Sequence, residues 1–133
     1  MIGNQPYQAY QNQSVATASP GELTLMLYEG CLKFIRIAKA SIAEGKLEAK
    51  NTNLVKAQNI MRELMVTLNK DIEIAEGMMQ MYDYIHRRLV EANINNDADV
   101  LEEVEGYVTE FRDTWKEVIQ ISRKQRHGEG GRA

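Results

Sequence analysis

After Pro20 the chain reaches Ala133 without another proline. Proline inside a helix removes a backbone donor and clashes with the preceding turn, at a cost of about 3 kcal/mol. Its absence leaves helix open along nearly the whole sequence. The same stretch is rich in Ala, Leu, Met, Glu, Lys and Gln, which lose little side-chain freedom in a helix. The β-branched and aromatic clusters that favour strands are sparse.

Start and stop signals divide this stretch into four. Ser19-Pro20-Gly21-Glu22 reads as a cap, a first-turn proline and a capping-box glutamate. The first helix runs from there to about Glu44, with Gly45 as its stop. The second is expected over about 46–69, and Asn69-Lys70-Asp71 breaks it. The third is expected over about 72–95, with Gly77 allowing a later start, and Asn95-Asn96-Asp97 ends it. The fourth is expected over about 98–125. Helices of ~25 residues are ~37 Å long, and the short loops force antiparallel neighbours. The expected fold is therefore all-α, an antiparallel up-down four-helix bundle formed by residues 19–125.

Residues 1–18 are polar, with Ile2, Tyr7, Tyr10 and Val15 as anchors. They are too few to fold alone, and are expected to be flexible or to pack on the bundle as a short helical or extended piece. Residues 126–133 contain three glycines and are expected to form a flexible tail.

Three-four spacing marks core seams on the later helices. Helix 2 offers Leu47, Leu54, Ala57, Met61, Leu64 and Leu68. Helix 3 offers Met78, Tyr82, Ile85, Leu89 and Ala92. Helix 4 offers Leu101, Val104, Val108, Phe111, Trp115, Val118 and Ser122. Helix 1 has two seams. One is Leu23, Leu27, Gly30, Phe34, Ile37 and Ser41; the other is Leu25, Tyr28, Leu32 and Ile35. A bundle helix normally buries a stripe a little over ~100° wide, so the second seam is expected to point largely away from the core. Three explanations stand: the bundle wraps further round helix 1, the segment with Tyr7, Tyr10 and Val15 docks there, or a partner does. Smaller apolar surpluses are Val55 and Val66 on helix 2, and Met79 and Val90 on helix 3 with Asp83 and His86 between them.

Little points to chemistry. A net charge of −3 gives no electrostatic reason to bind nucleic acid or anionic lipid, and no segment reads as a membrane insertion. A di-metal bundle needs two Glu-x-x-His pairs, whereas only His86 and His127 occur. Cys31 reads as a small core residue in a reducing compartment. Arg123 and His127 lie too close to glycines to suggest a nuclease. The acidic start of helix 4 suits the helix dipole, and Arg87-Arg88 can pair with it. No catalytic residue, metal ligand or cofactor is expected; a binding module is.

Several strings together carry a resemblance: Tyr7-Gln8-Ala9-Tyr10, Val15-Ala16-Thr17-Ala18-Ser19-Pro20-Gly21-Glu22-Leu23, Leu27-Tyr28-Glu29-Gly30, Tyr82-Asp83-Tyr84-Ile85-His86-Arg87-Arg88-Leu89 and Glu91-Ala92-Asn93. In this order and spacing, over residues 4 to about 127, the chain resembles the flagellar secretion chaperone family FliS. That resemblance implies a cytoplasmic helical bundle without enzymatic activity or cofactor. It implies binding of the disordered C-terminal segment of flagellin, prevention of premature polymerisation, and delivery to a component of the flagellar export gate. It also places Tyr7 and Tyr10 in the binding region. The competing reading is a homodimeric bundle with a structural or regulatory role, joined through the second seam.

Overall fold

The computed structural model describes the backbone of residues 19–132 and the side chains of residues 19 and 21–125. Tyr7, Tyr10 and Val15, and with them the docking expected of residues 1–18, lie outside the described residues. Four helices follow one another: α1 (Pro20–Ala43), α2 (Leu47–Thr67), α3 (Ala75–Asn95) and α4 (Ala98–Arg132).

The helix ends follow from local chemistry. Ser19 is extended and its hydroxyl accepts from the Glu22 N–H at 3.2 Å, with Pro20 in the first turn. The Glu22 carboxylate does not complete a capping box; it reaches across to Arg123 on α4. Gly45, at φ 72°, takes the left-handed conformation that ends α1, and the Lys46 N–H bonds the Ser41 carbonyl at 2.8 Å. Asn96 does the same for α3 at φ 52°. Asp97 then starts α4, its carboxylate accepting from the N–H groups of Asp99 and Val100.

Two boundaries differ from expectation. The α3 helix begins at Ala75, because the Asn69 side chain accepts from the Asp71 N–H and holds that segment in a turn. The α4 helix runs past Gln125 to Arg132. Each glycine there weakens the helix by about 1 kcal/mol without forbidding it.

Contacts between helices give the direction of each. On α1 and α2, Cys31 meets Met61 and the Lys56 ammonium lies 5.3 Å from the Phe34 ring centre. Lys50 on α2 donates to the Asn93 carbonyl on α3 at 2.7 Å. Tyr84 and Arg88 on α3 both bond Glu103 on α4. Arg36 and Lys39 on α1 both bond Glu105 on α4, at 2.9 Å. Early residues of one helix meet late residues of the next each time, so all neighbours are antiparallel. The α1 helix packs on α2 and α4, and so does α3. This is a square bundle with α1 and α3 on a diagonal.

The diagonal is bridged in the core. Tyr28 and Tyr82 are each 1 % exposed and their hydroxyls are hydrogen-bonded to each other. Phe111 stacks on Tyr28 at 5.6 Å between ring centres, and Trp115 meets Tyr28 edge-on at 6.3 Å. The Trp115 indole N–H donates to the Gly21 carbonyl at 2.8 Å, tying α4 to the first turn of α1.

This packing corrects the reading of the second seam. Tyr28, Leu32 and Ile35 are fully buried and Leu25 is half-buried. Leu27, Phe34 and Ser41 of the first seam are buried too, while Ile37 is exposed. At 100° per residue the buried side chains of α1 cover about 180° of its circumference. The centre of that arc is Cys31 and Ala38, both 0 % exposed, between the two seams. The physical reason is the square arrangement: α2 covers one flank of α1, α4 covers the other, and Tyr82 reaches across from α3. Of the expected core positions on α2 and α4, Leu47, Val118 and Ser122 are exposed.

The burial difference gives a direct expectation. Leu32→Ala should lower unfolding free energy in urea titrations by about 2–5 kcal/mol. Val66→Ala, at a residue 79 % exposed, should change it by less than about 0.5 kcal/mol.

Candidate partner-binding surface

Apart from Ile37 on α1, and Leu47 and Ile94 at the far end of the bundle, the large exposed apolar side chains gather on two surfaces. Val55 and Val66 on α2 are 40 % and 79 % exposed. Met79 and Val90 on α3 are half-buried. Along α2, Val55, Asn59, Arg62 and Val66 follow one another in steps of four, three and four, and share a face. Along α3, Met79, Asp83, His86 and Val90 do the same. Lys50 donates to the Asn93 carbonyl, and the Asn93 amide donates to Asn51 at 2.9 Å. The antiparallel register they set places Val55 opposite Val90 and Val66 opposite Met79. The result is a strip across the α2–α3 seam with an apolar pair at each end, ~16.5 Å apart at 1.5 Å per residue, and a polar middle.

The second surface is at the end of the bundle where α1 begins. The register set by Tyr84, Arg88 and Glu103 brings Ala75, the first residue of α3, level with about Thr114 of α4. Beyond that level α4 has no α3 beside it, and Val118 and Ile121 are exposed, as are Ile72 and Ile74 in the preceding loop. This explains why the expected core positions at Val118 and Ser122 are not core. An open groove of about 420 Å³ runs here between Ser19, Gly21, Trp115, Val118, Ile119 and Ser122. A smaller cavity of about 180 Å³ lies between Leu64, Leu68, Met78, Tyr82 and Trp115. Helix periodicity alone could not reveal this surface, because α4 keeps its apolar rhythm past the point where its neighbour stops.

The ionisable groups explain the chemistry of these surfaces. Burial pushes the Cys31 thiol up to about 12, so it stays protonated and acts as a small apolar side chain. Burial also raises Tyr28 and Tyr82, which keeps both phenols neutral. Burial alone raises the Glu105 carboxyl, but the bonds from Lys39 and Arg36 outweigh it and hold the group below its ordinary range. Among the described residues no cluster of His, Cys, Asp and Glu has the geometry to hold a metal ion, and no helix is long and apolar enough to cross a membrane.

His86 lies in the polar middle of the α2–α3 strip. Its Nε2 is buried without a hydrogen-bond partner. Burial pushes its pKa down, the Arg62 guanidinium from α2 pushes it further, and Asp83 one turn earlier opposes both in part. A histidine held below its ordinary value is neutral in the fold, while the unfolded chain takes up a proton below about pH 6.5. Its contribution to stability is therefore complete above that pH and is lost as pH falls towards the folded value. Urea titrations at pH 7.5 and 5.5 should show a loss of stability on acidification that is smaller in His86→Gln.

Comparison with known proteins places this architecture. The family model described as flagellar protein FliS matches residues 3–122. The flagellar secretion chaperone FliS of Bacillus subtilis is 64 % identical over 126 residues, covering 95 % of each chain. That of Salmonella typhimurium is 35 % identical over 114 residues, covering 84 % of each. A crystal structure described as a flagellar chaperone from bacteria superposes with a TM-score of 0.72 at 21 % identity, covering 87 % of this chain and 96 % of the other. The family model spans most of the chain and the relatives match over most of their length: the chain belongs to the flagellar secretion chaperone FliS family.

Proposed function

We propose that this chain works in the cytoplasm as the export chaperone of flagellin. It binds the C-terminal segment of flagellin, keeps that segment from polymerising prematurely and brings it to a component of the flagellar export gate. The observation that carries this reading is that most of the large exposed apolar side chains fall on two separate surfaces. The α2–α3 strip has Val55, Val66, Met79 and Val90, and the bundle end has Ile72, Ile74, Val118 and Ile121. Leu25, half-buried in the second turn of α1, belongs to the same proposal. A rigid globular partner needs one continuous patch; a segment that folds as it binds can cover dispersed strips. Tyr7, Tyr10 and Val15 belong to the same proposal as contacts made by residues 1–18. Tyr28, Leu32 and Ile35 support the site from beneath, through the core, and offer no surface themselves.

No cofactor enters this mechanism. Binding lowers the free concentration of the polymerisation-prone segment by mass action; a chaperone at one hundred times Kd holds it by about 2.7 kcal/mol. Release requires that the segment be bound more favourably elsewhere, which is the part proposed for the export gate.

The test is titration calorimetry and size exclusion with a C-terminal fragment of flagellin. The wild-type chain should form a one-to-one complex. Val55→Asp combined with Val66→Asp should weaken binding about tenfold or more, since each buried valine contributes about 1.5 kcal/mol or more, with the thermal midpoint little changed. A stable dimer indifferent to the fragment would overturn the reading in favour of a homodimeric structural protein.

A further inference from the structure

Six arginines have described side chains, and five pair with carboxylates: Arg36 with Glu105, Arg87 with Asp83, Arg88 with Glu91 and Glu103, Arg112 with Asp113 and Arg123 with Glu22. Arg62 has no carboxylate within ion-pair distance among the described residues. It is exposed, it lies in the middle of the α2–α3 strip, and the chain around it carries a net charge of −3. Asp83, the nearest acidic residue across the seam by register, is already taken by Arg87 at 3.0 Å. The neighbouring imidazole of His86 is held neutral, as argued above. The strip is thus apolar at both ends and carries one uncompensated positive charge between them. Arginine's planar fork is suited to a carboxylate, which it can bind with two parallel hydrogen bonds.

The spacing limits the shape of what fits. Val55 and Val66 are eleven residues apart, three turns of helix, and a docked helix with apolar residues eleven apart presents them on one face. Arg62 is one turn from Val66 and two turns from Val55. We propose that the α2–α3 seam receives an α-helical segment of the partner with apolar residues eleven positions apart. This segment carries an aspartate or glutamate between them, one turn from one anchor and two turns from the other, which pairs with Arg62. The proposal rests on the chaperone reading and specifies the sequence chemistry of the segment that this strip selects.

The test uses designed peptides of about eighteen residues, helical in isolation, with leucines eleven apart and Glu, Gln or Lys at the intervening position. Binding to the full-length chain is measured by fluorescence anisotropy at low and high salt. The Glu peptide should bind about tenfold tighter than the Lys peptide, the ratio expected for one charge-assisted pair, and the ratio should shrink as salt rises. Arg62→Glu should invert the preference, and Arg62→Gln should abolish it. Val55→Asp with Val66→Asp should remove binding of all three peptides. Equal affinity for the three peptides, no binding of the Glu peptide, or a preference unchanged by Arg62→Glu each overturns the proposal. A flagellin fragment that binds the valine double variant as well as wild type overturns the chaperone role of this strip instead. The two failures are therefore distinguishable.

Discussion

The architecture depends on burying α1 along both flanks. In a square bundle each helix has two neighbours, and a stripe of a little over ~100° usually suffices to meet them. The α1 helix goes further, to about half its circumference, because an aromatic cluster fills the interior at its end of the bundle. Tyr28 and Tyr82 meet across the diagonal, with Phe111 and Trp115 packed around them. Two phenols in an apolar interior need partners, since a buried hydroxyl without one costs about 1–3 kcal/mol. Each supplies the other, and that reciprocal contact fixes the register of α1 against α3 without direct packing of their backbones.

Charges act around this core rather than within it. Arg36 and Lys39 converge on Glu105 between α1 and α4, and Tyr84 and Arg88 converge on Glu103 between α3 and α4. Exposed single pairs contribute little, about 0–1 kcal/mol. Two donors on one partly buried carboxylate hold more firmly, and both networks sit where the apolar contact between two helices gives way to solvent. They set which faces meet. The α2–α3 seam lacks such a network at its middle, where Arg62 and His86 lie, and that seam is the one left with an apolar pair at each end.

Much of this was legible in the sequence. Helix number and order follow from Pro20, Gly45 and the two Asn/Asp breaks, each of which acts through local backbone chemistry. The seams on α2 and α3 follow from three-four spacing. What periodicity could not supply was the centre of the core stripe on α1. Two seams about 160° apart at 100° per residue read equally well as one core face plus one exposed face, or as the two edges of a wide core. Cys31 and Ala38 decide it: small side chains between the seams let α2 and α4 approach from both sides. Leu47, Val118 and Ser122 fail for a different reason. They keep the rhythm of a core seam at levels where a neighbouring helix has ended, and end-effects are set by relative helix length in three dimensions. The surplus at Val55, Val66, Met79 and Val90 was visible as residues, but their meeting in two pairs required the register between α2 and α3.

A chaperone that must bind and release repeatedly gains from this division of labour. If Tyr28, Leu32 and Ile35 were the contact residues, engaging a partner would require drawing them from the core, and each large core side chain removed costs about 2–5 kcal/mol. Binding would then be coupled to partial unfolding, with slow exchange and an exposed interior in the unliganded state. On the α2–α3 seam the contact side chains proposed above stand on a finished bundle. Their burial by a partner adds to stability by linkage, and their release subtracts only that addition. The wide burial of α1 and the modest exposure of the seam are thus two sides of one arrangement: the first keeps the scaffold closed, so that the second can be covered and uncovered without cost to the fold.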